Sequence, residues 1–284
     1  MSSQVTVIGS ATRDRIVHGE VSHHKWGGVA VYAGLTFARL GMSTGVVTNL
    51  ADRDSALADL LSSAGISVQH GNSDATTEFV NHVSGDERRQ ELLSCAASIS
   101  KTQLGQITAD HVHLGPLHPL DIEPPALMSL QDVERVSIDI QGYTRKIEGV
   151  DVRAGVSGHL RHALDVAEIV KASREETEAV VDFFGEELGA LMEECGIEQW
   201  LTTDGANGGW LLCSSGSRHD FRGVAVSEIA DPTGAGDVFF AAYLTYHLYE
   251  EADIGEALQQ AATLTARQVE GRFIAGEELS RAQD

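Results

Sequence analysis

The stretch Asp231-Pro232-Thr233-Gly234-Ala235-Gly236-Asp237, followed by Val238-Phe239-Phe240-Ala241-Ala242-Tyr243-Leu244, places a glycine-rich turn directly before an apolar helix. The first amides of a helix have no intrahelical acceptors, and the aligned peptide dipoles make that end electropositive. Gly234 and Gly236 let the backbone approach a ligand and take conformations that a side chain would block. Such a turn suits the negative charge that develops on a transferring phosphoryl group. Asp237 falls in the first helical turn, where its carboxylate can face the same space and accept the proton of an attacking hydroxyl. The plainer alternative is an acid that only stabilises the helix N-terminus. The glycines, the intervening alanine and the acid occurring together favour the chemical reading.

Outward from this turn, short β-branched runs alternate with amphipathic stretches. Strands are expected at Val5 to Gly9, Gly45 to Thr48, His111 to Leu114, Val136 to Ile140, Ala167 to Val170, Gln199 to Thr203 and Trp210 to Cys213. Helices are expected at Val29 to Leu40, Ser55 to Ala64, Glu175 to Cys195, Ala235 to Tyr249 and Gly255 to Val269. Strands and helices alternating at this spacing predict an α/β fold with a mostly parallel sheet covered on both faces. Two polar, partly alternating segments, about 13–26 and 76–93, break the rhythm and read as a small β lid inserted into one domain spanning 1–284. A decorative hairpin or an oligomer contact is the plainer reading of the same segments. Exposed lid strands also invite a homodimer through sheet pairing.

The chain has 284 residues, and 42 acidic against 20 basic side chains give a formal net charge of −22. A surface this acidic repels nucleic acid and anionic membranes, so neither is an expected partner. It also repels phosphates, so any phosphate site must be built locally from backbone amides and a metal ion. Lysine occurs only at Lys25, Lys101, Lys146 and Lys171. Acidic, lysine-poor chains suit a high-salt cytoplasm, where screening relieves self-repulsion, and equally suit an ordinary acidic protein. A melting temperature independent of salt would argue against the high-salt reading. The scattered cysteines Cys95, Cys195 and Cys213 form neither a disulfide framework nor a zinc spacing, which fits a reducing cytoplasm. The N-terminus reads as a first strand rather than a secretory leader. His111, His113 and His118 are read as a chance cluster, not a metal site.

The 231–237 turn resembles the C-terminal signature of the ribokinase-like (PfkB-type) carbohydrate kinases, and further segments match in order along nearly the whole chain. Gly27-Gly28 through Arg39-Leu40-Gly41 resembles the N-terminal glycine signature of that family. Asp14 stands where the family has a sugar-hydroxyl ligand. Thr203-Asp204-Gly205-Ala206-Asn207-Gly208 resembles its nucleotide-contacting turn, and Lys171-Ala172-Ser173-Arg174-Glu175-Glu176 resembles its Asn-x-x-Glu segment. The resemblance implies a three-layer α/β/α sandwich and an ATP-dependent kinase acting on a hydroxyl of a small sugar or cyclitol. Its acceptors would be myo-inositol, a ribose-like or hexose sugar, or a nucleoside.

By matching position, Asp237 is implied as the base and Gly234, Ala235 and Gly236 as the anion hole. Asp14, Gly27 and Gly28 would hold the acceptor. Thr203, Gly205, Gly208 and Thr233 would line the nucleotide side, and Glu176 would act on Mg²⁺. A potassium ion near Asp231 to Thr233 is a further implied ligand. Arg145, in the loop after Ser137 to Tyr143, is a candidate for meeting an anionic substrate or phosphate, or for a structural ion pair. Three positions depart from the pattern: Tyr32 stands for an asparagine, Ser173 for the asparagine of Asn-x-x-Glu, and Pro232 for a threonine. A degenerate nucleotide- or sugar-binding sensor without turnover is the alternative, against which the intact Gly234-Ala235-Gly236-Asp237 weighs.

Overall fold

The computed structural model describes residues 3–18, 21–84 and 87–280. In chain order its strands are β1 (Val5–Ile8), β2 (Thr12–His18), β3 (Val21–Gly27), β4 (Thr44–Leu50), β5 (Ser67–Asn72), β6 (Glu78–Ser84), β7 (Glu87–Ser94) and β8 (His111–Leu114). They continue with β9 (Arg135–Asp139), β10 (Arg145–Glu148), β11 (Asp151–Ala154), β12 (Ile169–Ser173), β13 (Gln199–Thr203), β14 (Gly209–Cys213) and β15 (Arg218–Phe221). The helices that matter for the site are α1 (Val29–Arg39), α2 (Arg174–Phe184), α3 (Leu188–Cys195), α4 (Ala235–Leu248) and α5 (Ile254–Val269).

Nine strands form one sheet in the order β15-β14-β13-β12-β9-β8-β1-β4-β5. The run from β13 to β5 is parallel throughout, and only β14 and β15 pair antiparallel at one edge. Side chains alternate across the sheet, so neighbouring strand residues enter different cores. Val46, Ile169 and Leu201 join α1, α4 and α5 on one face, while Val47, Val170 and Trp200 join α2 and α3 on the other. A large mixed sheet thus lies between two helical layers, the expected three-layer α/β/α sandwich.

The two polar segments do form a second sheet, larger than expected. Its six strands run β10-β11-β7-β6-β2-β3, and the hairpin β10–β11 joins it through Asp151 beside Glu91. The hairpin turns at Gly149, whose φ of 66° needs glycine. Positions 19–20 and 85–86 of the expected lid segments lie outside the described residues. Two boundaries move as well. The acidic stretch Glu175 to Cys195 is two helices, because Gly185 takes φ 70° and ends α2 in a left-handed cap. The strand expected at Ala167 to Val170 runs instead from Ile169 to Ser173, which places Lys171 inside the sheet. Among the described residues no helix is long and apolar enough to cross a membrane.

Candidate active site

Parallel strands deliver their loops to one edge of the sheet, and ligands of open α/β folds sit in the crevice outside those carboxyl ends. Here that edge carries Asp139 at the end of β9 and Lys171 near the end of β12. These residues are register partners in adjacent parallel strands. Lys171 Nζ donates to Asp139 Oδ2 over 2.6 Å, with both side chains buried. The turn before α4 faces the pair. Together with residues of the second sheet they line a cavity of about 640 Å³, a volume of the order that encloses a small ligand.

The turn has the geometry of an anion hole. Gly234 caps α4 with φ 74°, and among the described residues no backbone carbonyl accepts from the amides of Gly236 or Asp237. A methyl group on Gly234 would lie 2.2 Å from the Tyr32 ring, and one on Gly236 would lie 2.9 Å from Lys171 Nζ. Gly236 therefore leaves room for an ammonium beside the helix N-terminus. Tyr32, the departure from the glycine signature, supports the turn from beneath. Gly234→Ala is expected to cost about 1–3 kcal/mol in urea unfolding, through left-handed strain and the clash with Tyr32. The same variant should lose anion binding in calorimetry.

Asp237 keeps an edge open to this cavity. Its carboxyl is pushed up to about 7, first by confinement away from water, then by Asp139 and Asp14, against the opposing pull of Lys171 and Arg145. Lys171 is itself held above its usual value: burial pushes its pKa down, but Asp139, Glu176 and Asp237 outweigh that. A confined carboxyl poised near neutrality, facing a fixed cation and a helix N-terminus, is equipped to take a proton.

Asp14, from β2, is buried and lines the opposite wall with Asn81 and Gln90 of the second sheet. Gln90 Nε2 donates to Asn81 Oδ1 over 2.9 Å. Gly27 does not line the cavity. Its missing side chain makes room for Asp14, whose Oδ2 would lie 2.5 Å from a Cβ there. Gly28 does line it and caps α1 at φ 83°. The Arg145 side chain reaches the same wall, donating to the Leu117 carbonyl over 3.0 Å and lying 5.6 Å from the centre of the Phe79 ring.

The expected nucleotide residues divide. Thr233 lines the cavity, whereas Thr203, Gly205 and Gly208 do not. Arg174, one residue beyond the lining Ser173, binds Asp204 over 2.8 Å, one residue before the Gly205 turn. Gly208 is packed so closely on the Phe221 carbonyl that a Cβ would approach it to 2.3 Å. Glu176 lines the cavity but also completes a capping box, accepting from Ser173 N over 2.6 Å while Ser173 Oγ accepts from Glu176 N. Among the described residues no group of three or more His, Cys, Asp or Glu could hold a metal by itself. Magnesium, however, takes one or two carboxylates and completes its shell with water and phosphate oxygens. Glu175 and Glu176 at this wall fit that mode. His111 and His113 are core residues sharing Ser137 Oγ at 2.8 and 2.9 Å, both pushed toward the neutral form mainly by burial.

Lys171, Asp139, Asn81 and Gln90 were not singled out from sequence. The available signal was Lys171 itself, a lone lysine in the apolar run Ile169-Val170-Lys171-Ala172 of a chain with four lysines.

A mostly parallel sandwich with a glycine-rich helix N-terminus, a confined carboxyl and a second sheet across the cavity is the architecture of a ribokinase-like protein. The chain belongs to the pfkB family of carbohydrate kinases, which it matches over residues 4–272. Among solved structures it is similar to a pyrophosphate-dependent kinase of the ribokinase family in complex with sulfate, with 24% identity, TM-score 0.83, 94% of this chain and 95% of that one covered. A pyrophosphate-dependent kinase of the same family bound to a pyrophosphate analog and myo-inositol matches at 23% identity and TM-score 0.81, covering 93% and 94% of the two chains. The ribokinase of Thermotoga maritima matches at 19% identity and TM-score 0.74, with 99% of each chain covered. At these identities the likenesses establish the fold alone. No curated protein matches the chain.

Proposed function

We propose that this chain transfers a phosphoryl group to a hydroxyl of a small cyclitol or sugar, myo-inositol foremost, and that its donor is inorganic pyrophosphate. The observation that carries the reading is the cavity itself, where the Asp237 carboxyl, the anion-hole turn and the Lys171 ammonium converge. Asp237 would accept the proton of the attacking hydroxyl while the oxygen attacks phosphorus and the bond to the leaving phosphate breaks. The amides of Gly236 and Asp237, with Lys171, would bear the charge on the transferred group, since positioning and charge neutralisation supply most of the catalysis in phosphoryl transfer. Magnesium, when bound with the donor, would neutralise phosphate oxygens, with Glu176 its ligand directly or through water.

A compact donor is supported by the placement of the polar groups. Cationic side chains of Arg89, Arg145, Arg153 and Lys171 line the cavity despite the acidic surface. Three of the four residues expected to hold a nucleotide, Thr203, Gly205 and Gly208, lie outside it, on the far side of the Arg174–Asp204 pair. The neighbouring folds described as pyrophosphate-dependent kinases agree with this choice. ATP is the second reading, favoured by the likeness of the 203–208 turn to a nucleotide-contacting segment.

A cyclitol or sugar would meet Asp14, Asn81 and Gln90 through its hydroxyls and Phe79 and Tyr32 through its ring face. One neighbouring structure describes the conversion of a pyrophosphate-dependent myo-inositol-1 kinase into a myo-inositol-3 kinase by a double substitution, so two side chains in this fold can set the hydroxyl chosen. Asn81→Leu is expected to raise KM for the acceptor about 10–100-fold, leaving donor affinity unchanged, by stranding Gln90 and removing a hydroxyl partner. Product analysis by chiral phosphorus NMR would also reveal a changed position of phosphorylation.

The deciding experiment incubates the full chain with magnesium, a panel of inositols, sugars and nucleosides, and either pyrophosphate or ATP, and follows the phosphorylated product. Turnover with pyrophosphate and little with ATP is expected. Turnover with ATP alone would replace the donor assignment and leave the kinase reading standing. Anion binding without turnover on any acceptor would favour a sensor.

A further inference from the structure

Lys25, on β3, is 3% exposed, and its ammonium donates to Asp231 Oδ2. The other Asp231 oxygen, Oδ1, accepts from the Thr233 amide over 2.9 Å. The same ammonium lies 5.9 Å from the centre of the Tyr32 ring, the ring on which Gly234 rests. Lys25 is not part of the cavity wall, so it reaches the chemistry only through the turn that it holds. The carboxylate that opens the anion-hole turn is therefore engaged on both oxygens, one by the turn and one by a buried cation.

A potassium ion near Asp231 to Thr233, implied by the family resemblance, does not fit these residues. It would need the carboxylate that the buried Lys25 ammonium already neutralises, and a second cation beside that ammonium would be repelled by it. A chain of four lysines thus commits two of them to one turn from opposite sides, Lys171 against Gly236 and Lys25 against Asp231.

We propose that Lys25 is a tethered internal cation, a positioning residue that fixes the 231–237 turn and makes the protein independent of monovalent cations. The inference rests on the reading of that turn as the anion hole of a kinase. Turnover of the wild type in potassium, sodium and choline chloride at matched ionic strength is expected to differ by less than about twofold. Lys25→Met is expected to lose about 100-fold in kcat with little change in acceptor KM, and to regain about tenfold in potassium or ammonium but not in choline. Activation of the wild type by potassium of about tenfold or more would overturn the proposal. So would a folded Lys25→Met variant that no cation rescues. If Lys25→Met does not fold, the wild-type comparison decides alone. If no donor and acceptor give turnover, the same salts are compared by melting temperature. There the wild type should respond equally to potassium and choline, and Lys25→Met should be raised by potassium only. A potassium-specific rise in the wild type, or equal responses in the variant, would sink the idea independently of activity.

Discussion

Asp237→Asn is expected to lower kcat about 10²–10⁴-fold, the span that a positioned general base contributes, while pyrophosphate binding measured by calorimetry stays near that of the wild type. The wild-type pH profile follows from the same residue. With its carboxyl pushed up to about 7, Asp237 is mostly protonated at pH 6 and ionised at pH 8, so kcat/KM should climb with unit slope up to about pH 7 and then level. A profile flat from pH 5.5 to 8.5, or a variant retaining near-normal turnover, would remove Asp237 from its role.

Stability should move the opposite way, and the sign can be worked out. The folded-state pKa lies above the ordinary aspartate value of 3.8. Between those values the folded chain therefore holds a proton that the unfolded chain has released, and stability falls as pH rises through that window. At about 1.36 kcal/mol per unit, the full shift corresponds to at most about 4 kcal/mol. Asp237→Asn should therefore stabilise the protein by about 1–4 kcal/mol at pH 8 in urea unfolding, and by almost nothing near pH 4. A base held where its charge is disfavoured costs the fold some stability, as active sites commonly do. A structural N-terminal cap would show the reverse, because neutralising it destabilises the helix.

How much of this was legible in the sequence depended on the range of the interactions. The Gly234-Ala235-Gly236-Asp237 turn and the parallel strands were legible because glycine placement and hydrophobic alternation are local. Gly27 and Gly28 were legible as a pair, but their separate uses were not: one yields space to Asp14 and the other starts a helix. The β10–β11 hairpin was missed because Arg145–Glu148 and Asp151–Ala154 are short and charged, and they reach the second sheet only where Asp151 pairs with Glu91, 60 residues away in the chain. Glu175 to Cys195 read as one helix because its acidic face continues past Gly185, and a glycine within a helical pattern does not announce whether it will break it. The Ser173 departure had a local meaning that pattern-matching hid, since Ser-x-x-Glu is a capping box in its own right. The Lys171–Asp139 pair was illegible for a different reason: its partners are 32 residues apart, and only the parallel register of β9 with β12 sets them side by side.

That pair carries the second large expectation. Lys171→Met keeps most of the side-chain volume but deletes the ammonium, leaving the charges of Asp139 and Asp237 without the cation that offsets them. Two consequences separate by measurement. Loss of a preorganised cation beside the anion hole should lower kcat/KM about 10²–10³-fold at the optimum. Loss of the opposing pull on Asp237 should also move the acid limb of the pH profile above 7 by about one unit or more, because the Asp139 charge is then uncompensated. Lys171→Arg, which retains the charge but crowds Gly236, should recover the position of the acid limb better than it recovers kcat. A Lys171→Met enzyme whose rate falls while its limb stays at the wild-type pH would mean that Lys171 acts on phosphate alone. A limb that shifts with little loss in the plateau rate would mean that it serves only to tune Asp237. The close approach of Nζ to Gly236 and its hydrogen bond to Asp139 argue for both effects together, since one ammonium stands beside the anion-hole turn and neutralises a carboxylate that raises the Asp237 pKa.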